Sequence, residues 1–220
     1  MMSLKRLILL VVLATSSAYA STIYLSQMDA NLGEFITFYD YGSDITNWVG
    51  GVDATVDNTY ARVLYCVQLT VDIYVPGTYD SVLDYADTAS LQRVGWLMQY
   101  HAPTNPVDGV GFQLALWDIL QDRADGFSTG NVRAATNGAT PADALTAANY
   151  YESISQGQSS YQAVFYKNFL NGVPQQELIG FWPTDPGPIP QTPEPTAIVL
   201  LFSGLALIGL GRLRRGARTN

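Results

Sequence analysis

The chain holds one cysteine and one histidine, Cys66 and His101, and their side chains are the first candidates for chemistry. A thiol beside an imidazole can serve as nucleophile and base, so a Cys66–His101 hydrolase oriented by an Asn or Asp is formally open. That signal is unspecific, because any chain with one residue of each kind satisfies it. Metal binding has less support still: one Cys and one His, with no carboxylate cluster at ligand spacing, make no site. The acidic stretches Asp53–Asp57 and Asp80–Asp87 lack the ligand rhythm of a calcium loop and read as solvated loops. No metal and no cofactor is expected. The plainest account of Cys66, in the stretch LYCVQ, is a small buried hydrophobe on a strand. Yet an odd cysteine in an exported chain is a candidate for pairing or reaction.

Export is indicated by residues 1–20. Lys5 and Arg6 give a basic start, Leu7 to Ala14 an apolar core too short to span a bilayer, and Ala18-Tyr19-Ala20 a small-residue cleavage signature. These features predict a signal peptide removed before Ser21. The other end carries a proline-rich linker at 186–196, an apolar run from Ala197 to Gly211, and a basic close with Arg212, Arg214, Arg215 and Arg218. Proline-rich segments are stiff spacers. The apolar run is short for a spanning helix, but its basic flank fits a membrane stop that leaves the arginines in the cytoplasm.

Pro193-Glu194-Pro195, the apolar stretch and the terminal arginine cluster together resemble the PEP-CTERM sorting signal, with Thr192 where that pattern often has Val. The resemblance implies recognition and cleavage near the tripeptide by an exosortase. The protein would be exported by the Sec route, inserted transiently in the inner membrane through residues 197–220, and left on the cell surface or in the extracellular matrix of a Gram-negative bacterium.

Between the two trims lie some 174 residues, enough for one domain with a substantial core. All nineteen acidic residues fall there against five basic ones (Arg62, Arg93, Arg123, Arg133 and Lys167), a formal charge of −14 where the whole chain carries −8. So acidic a surface would repel nucleic acid and anionic lipid. No glycine-rich phosphate loop follows a strand.

The elements that must position Cys66 are legible in outline. Thr22–Leu25, Phe35–Tyr39, Ala61–Leu69 and Thr70–Val75 are rich in β-branched and aromatic residues and predict strands, with a turn at Pro76-Gly77. From Thr88 the spacing becomes helical: Leu91, Val94, Leu97 and Met98, then Val110, Leu114, Trp117 and Leu120 after a break at HAPTNP. Ala142–Tyr151 and Tyr161–Leu170 read as two further helices, and Gly126–Thr140 as a loop. The expectation is an α+β domain over 21–185, its first half β-rich and its second half helical.

Tyr65-Cys66-Val67 on a strand, followed 47 residues after the cysteine by Gln113 in FQLALW, resembles the cysteine and glutamine motifs of the thioester domain family of bacterial surface adhesins. The match covers Tyr60 to Leu120. It implies a barrel- or sandwich-like β portion carrying the cysteine and a helical subdomain carrying the glutamine. It further implies that the Cys66 thiol displaces ammonia from the Gln113 side-chain amide to form an internal thioester, shielded by Tyr65, Phe112 and Trp117. On a helix Gln113 and Trp117, four apart, share a face. Such a bond would be spent once, on an amine or hydroxyl of a surface or matrix macromolecule, rather than turned over as in an enzyme. The rival reading is a non-reactive structural protein associated with exopolysaccharide, since a sorting tail is an address and not an activity.

Overall fold

A computed structural model of the chain describes residues 20–181, apart from residue 86. The signal segment, the proline-rich linker with its PEP motif, the apolar run and the arginine tail therefore lie outside the described residues. Among the described residues no helix is long and apolar enough to cross a membrane.

The chain builds one antiparallel sheet from β1 (Ala20–Asp40), β2 (Ser43–Val56), β3 (Tyr60–Cys66), β4 (Gly77–Tyr85), β5 (Val132–Ala134), β6 (Ala163–Leu170), β7 (Val173–Pro174) and β8 (Leu178–Phe181). The strand order β2-β3-β8-β6-β4-β1 closes on itself, because β1 also pairs with β2. Closure leaves those six strands without a free edge at the join. The first half of β1 belongs to this ring, pairing with β4 from Ala20 to Leu25. Its second half leaves the ring as a ribbon with β2, widened by β5 at Phe38–Asp40.

Period-two alternation sorts the side chains into two cores. Ile23, Leu25, Val52, Ala54, Val56, Leu64, Tyr79, Val164, Tyr166 and Leu178 fill the ring. Their intervening neighbours Tyr65, Ala163, Phe165 and Ile179 face a second core, which the helices cover. Each large apolar side chain so enclosed contributes about 1.5–3 kcal/mol.

Three helices form that cover: α1 (Ala89–Tyr100), α2 (Pro106–Gln121) and α3 (Ala142–Ser155). Helix α2 starts as its sequence dictates, with the Asn105 side chain accepting from the Asp108 N–H at 3.0 Å and Pro106 in the first turn. Every residue from Gly109 to Ile119 is buried, so α2 is a central helix enclosed on all sides. Two glycines permit that. A Cβ at Gly109 would run into the Leu32 backbone of β1, and one at Gly111 would sit 2.5 Å from Ala147 Cβ of α3.

The β-rich sheet with a few helices agrees with an α+β fold, but several expectations fail locally. Tyr161–Leu170 is not a helix: Ala163–Leu170 is the fully paired strand β6, whose run AVFYKNFL is buried on both faces and so shows no clean alternation. Thr70–Val75 has strand composition yet lies outside the ladder, and the strand begins only at Gly77. The second half of the domain is not purely helical, since β5 to β8 lie in it and complete the ring. The helices pack directly on β1, β2 and β6 and share one core with the outer face of the sheet.

Candidate functional site

Cys66 is the last residue of β3, opposite Leu178 of β8, where the strand is about to leave the sheet. Helix α2 runs alongside this point. The Gln113 side chain, fully buried at 0 % exposure, pairs with both backbone groups of Cys66. The Cys66 N–H donates to Gln113 Oε1 at 2.9 Å, and Gln113 Nε2 donates to the Cys66 carbonyl at 2.7 Å. A strand end has no further ladder partner on that side, and the carboxamide supplies what a neighbouring strand would have supplied. The two residues are thus brought together from 47 positions apart.

Two more glutamines hold the next residues. Gln121 Nε2 donates to the Val67 carbonyl at 3.0 Å, and Gln176 Nε2 to the Gln68 carbonyl at 2.6 Å. The segment leaving β3 is therefore clamped from α2 on one side and from the approach to β8 on the other. Beyond it, the Tyr79 hydroxyl donates to the Tyr74 carbonyl at 2.6 Å and accepts from the Tyr74 N–H at 2.9 Å, fixing the loop that returns to β4.

A partly open cavity of about 80 Å³ lies at this loop, lined by Met28, Trp48, Cys66, Leu69, Asp72 and Gln176 among others. Burial pushes the Cys66 thiol up to about 12. Free cysteine would be a few per cent thiolate at neutral pH; at this value the fraction falls to the order of 10⁻⁵, so the thiol is a poor nucleophile toward anything not held against it.

The aromatic residues expected near the pair occupy a different wall. Tyr65 and Phe112, each the neighbour in sequence of one member of the pair, meet at 4.8 Å between ring centroids. Phe112 also meets Tyr151 of α3 edge-on at 5.1 Å. Trp117 stacks on Phe38 at 5.3 Å, and its buried Nε1 finds no hydrogen-bond partner among the described residues. All three belong to the core between sheet and helices, whereas the aromatic residue lining the cavity is Trp48, which the sequence reading did not single out. Its signal was weak: a tryptophan on a ribbon strand is ordinarily packing. His101 caps the end of α1 and packs on Trp96 at 4.8 Å; it does not line the cavity. The glycines that seat α2, Gly109 and Gly111, were also passed over, although GVGFQ places one of them a single turn before Gln113.

No protein family and no curated protein matches the chain by sequence. Among solved structures, the N-terminal thioester domain of fibronectin-binding protein SfbI from Streptococcus pyogenes is similar at 10% identity, over 71% of this chain and 96% of that one, with a TM-score of 0.38. A likeness of that degree assigns neither a family nor site residues.

Proposed function

We propose that Cys66 and Gln113 form an internal thioester, and that the protein is an exported, surface- or matrix-bound molecule that uses it once, for covalent attachment to a partner. The observation that carries this reading is the two-point pairing of the Gln113 carboxamide with the Cys66 backbone. It holds an otherwise unreactive amide against the backbone of the residue that carries the chain's one thiol, and a sulfur turned onto the amide carbon from there would gain the effective molarities of roughly 10⁵–10⁸ M that aligned intramolecular reactions reach. The Cys66 N–H donates to Oε1 and would stabilise the oxyanion that forms when sulfur adds to the amide carbon. The sulfur–carbon bond forms, the carbon–nitrogen bond breaks, and the nitrogen leaves with the thiol proton as ammonia. The cavity is lined by Cys66 and not by Gln113, so a small amine or hydroxyl would approach the bond from the sulfur side. Aminolysis joins the partner to the Gln113 side chain and returns the thiol. Tyr65, Phe112 and Trp117 restrict water on the helix side. The partner is a surface or matrix macromolecule offering a protein amine or a polysaccharide hydroxyl, and export, transient membrane anchoring and exosortase processing belong to the same reading through the residue patterns at 1–20 and 186–220.

A second reading has its own observation. Gln121 and Gln176 make the same kind of side-chain bond to Val67 and Gln68, which carry no nucleophile, so Gln113 would be a third structural clamp in a non-reactive matrix protein. Intact mass spectrometry of the full chain separates the two. The expected result is a mass short by one ammonia, raised by one methylamine after treatment with that amine, and neither change in Cys66→Ala. An unshifted mass in the unmodified chain leaves the clamp.

The thiol released by methylamine provides a further test. With its pKa held near 12 rather than 9.0, it is expected to be alkylated about 10³-fold more slowly in the folded chain at pH 8 than after denaturation. The folded-state rate should then rise about tenfold per pH unit, as the thiolate fraction does. Equal rates before and after denaturation would show that the thiol is not enclosed.

A further inference from the structure

Away from the Cys66–Gln113 pair, the far end of α2 gathers acid groups that form no ion pair among the described residues. Asp118, in the last turn of α2, Asp122, its C-cap, and Asp125, in the loop that follows, bring carboxylate oxygens within 4.8 Å of one another. A helix C-terminus carries a partial negative charge, so acids there are unfavourable, and the last turn of α2 holds no basic residue. Asp118 is 0 % exposed, and its Oδ1 has no hydrogen-bond partner among the described residues. Its Oδ2 accepts only the Gly126 N–H at 3.1 Å. Glu152 of α3 stands against Asp118, and its Oε1 is also buried without a hydrogen-bond partner among the described residues. Arg93, whose charge acts on both carboxyls, hydrogen-bonds Ser155 Oγ at 2.8 Å and the Glu152 backbone carbonyl at 2.6 Å.

The loop is shaped around these groups. Gly130, at φ +86°, is so close that a Cβ there would strike Asp122 Oδ2 and lie 2.6 Å from Asp125 Oδ1. The Asn131 and Val132 N–H groups hold Asp122 in place through its Oδ2.

We propose that Asp118, Asp122 and Asp125 form a calcium site that ties the end of α2 to the 122–132 loop, with Glu152 completing its acidic wall. Donors that are all oxygen, with no His or Cys, select a hard cation. Three carboxylates of graded exposure on a helix end and a loop suit the irregular, many-oxygen coordination of Ca²⁺ better than the strict octahedron of Mg²⁺. A bound ion would give the orphaned Asp118 Oδ1 a partner, offset the charge at the helix end and remove the cost of two carboxyls facing each other. The sequence concealed the site because its ligands follow no known calcium-loop spacing.

The test uses the full chain stripped with a chelator and then titrated with CaCl₂ while thermal unfolding is followed. At Ca²⁺ well above the dissociation constant the midpoint should rise by about 5 °C or more. Asp125→Asn, on the exposed side, should keep the metal-free midpoint and lose at least about tenfold in calcium affinity. Asp118→Asn should lose the calcium response altogether; if that variant does not fold, Asp125→Asn decides alone. No midpoint change with calcium in the unmodified chain overturns the proposal. A change that Asp125→Asn retains in full overturns it as well.

Discussion

Gln113→Ala is expected to lower the stability of the domain by roughly 3–6 kcal/mol and to abolish both ammonia loss and covalent capture. The stability figure applies to the chain with its amide intact, read by adding Gln113→Ala to Cys66→Ala, and rests on the two hydrogen bonds to the backbone of residue 66, at 2.9 and 2.7 Å, whose backbone partners would be left buried and unpaired. Each such group costs about 1–3 kcal/mol, and the cavity left by a fully buried side chain adds to that. Against a total of about 5–15 kcal/mol for a domain of this kind, the loss is severe. Cys66→Ala provides the contrast. It keeps the backbone groups and so the clamp, costs no more than about 1–2 kcal/mol, and still abolishes capture. Gln113→Glu adds a pH signature. A carboxyl at that position can donate to the Cys66 carbonyl only while protonated, so folding raises its pKa. The folded state then holds a proton that the unfolded chain has given up, and stability falls as pH rises through the carboxyl range. Urea unfolding at acid and neutral pH measures all three variants. If Gln113→Ala unfolds at the same denaturant concentration as the unmodified chain, the pairing does not hold the site together.

Gly109→Ala should be at least as damaging, by about 3 kcal/mol or more, despite adding a better helix former. Propensity favours the substitution by about 1 kcal/mol. Packing opposes it more strongly, because the new Cβ meets the carbonyl carbon and oxygen of Leu32, which are backbone atoms of β1 and cannot rotate away. Helix α2 would have to move off the β1–β2 ribbon. Gln113, one turn further on the same helix, would move with it, and a displacement of about 1 Å at a reacting pair can cost on the order of 10²-fold in rate. The prediction is therefore double: a lower unfolding midpoint, and slower ammonia release in whatever fraction folds. A variant as stable as the parent, with full ammonia loss, would show that α2 is not seated by this contact.

The correct sequence expectations share a physical basis, and so do the failed ones. Residues 91–98 and 110–120 were legible as helices because their apolar side chains recur at helical spacing on either side of the break at HAPTNP. Residues 22–25, 35–39 and 61–66 were legible as strands from β-branched and aromatic content. The run AVFYKNFL was misread because a strand covered on both faces loses its alternation, and nothing local then distinguishes it from a buried helix. Thr70–Val75 was misread in the opposite sense: its composition suits a strand, but its backbone leaves the ladder at the cavity.

For the site, the sequence by itself determined which residues are candidates for chemistry: one thiol, one histidine, and a glutamine set in an apolar helical pattern downstream of the cysteine. Only the tertiary structure decided which of them meet. The closed ring ends β3 at Cys66 without a partner strand on one side, and α2, seated through Gly109 and Gly111, brings the Gln113 carboxamide into the vacant bonding position. The same holds for Asp118, Asp122, Asp125 and Glu152, four ordinary acids in sequence that become one cluster where α2 ends against α3. Residue type is a local property and can be read from the chain directly. Proximity between residues 47 positions apart arises from loop closure and packing, which no local spacing encodes.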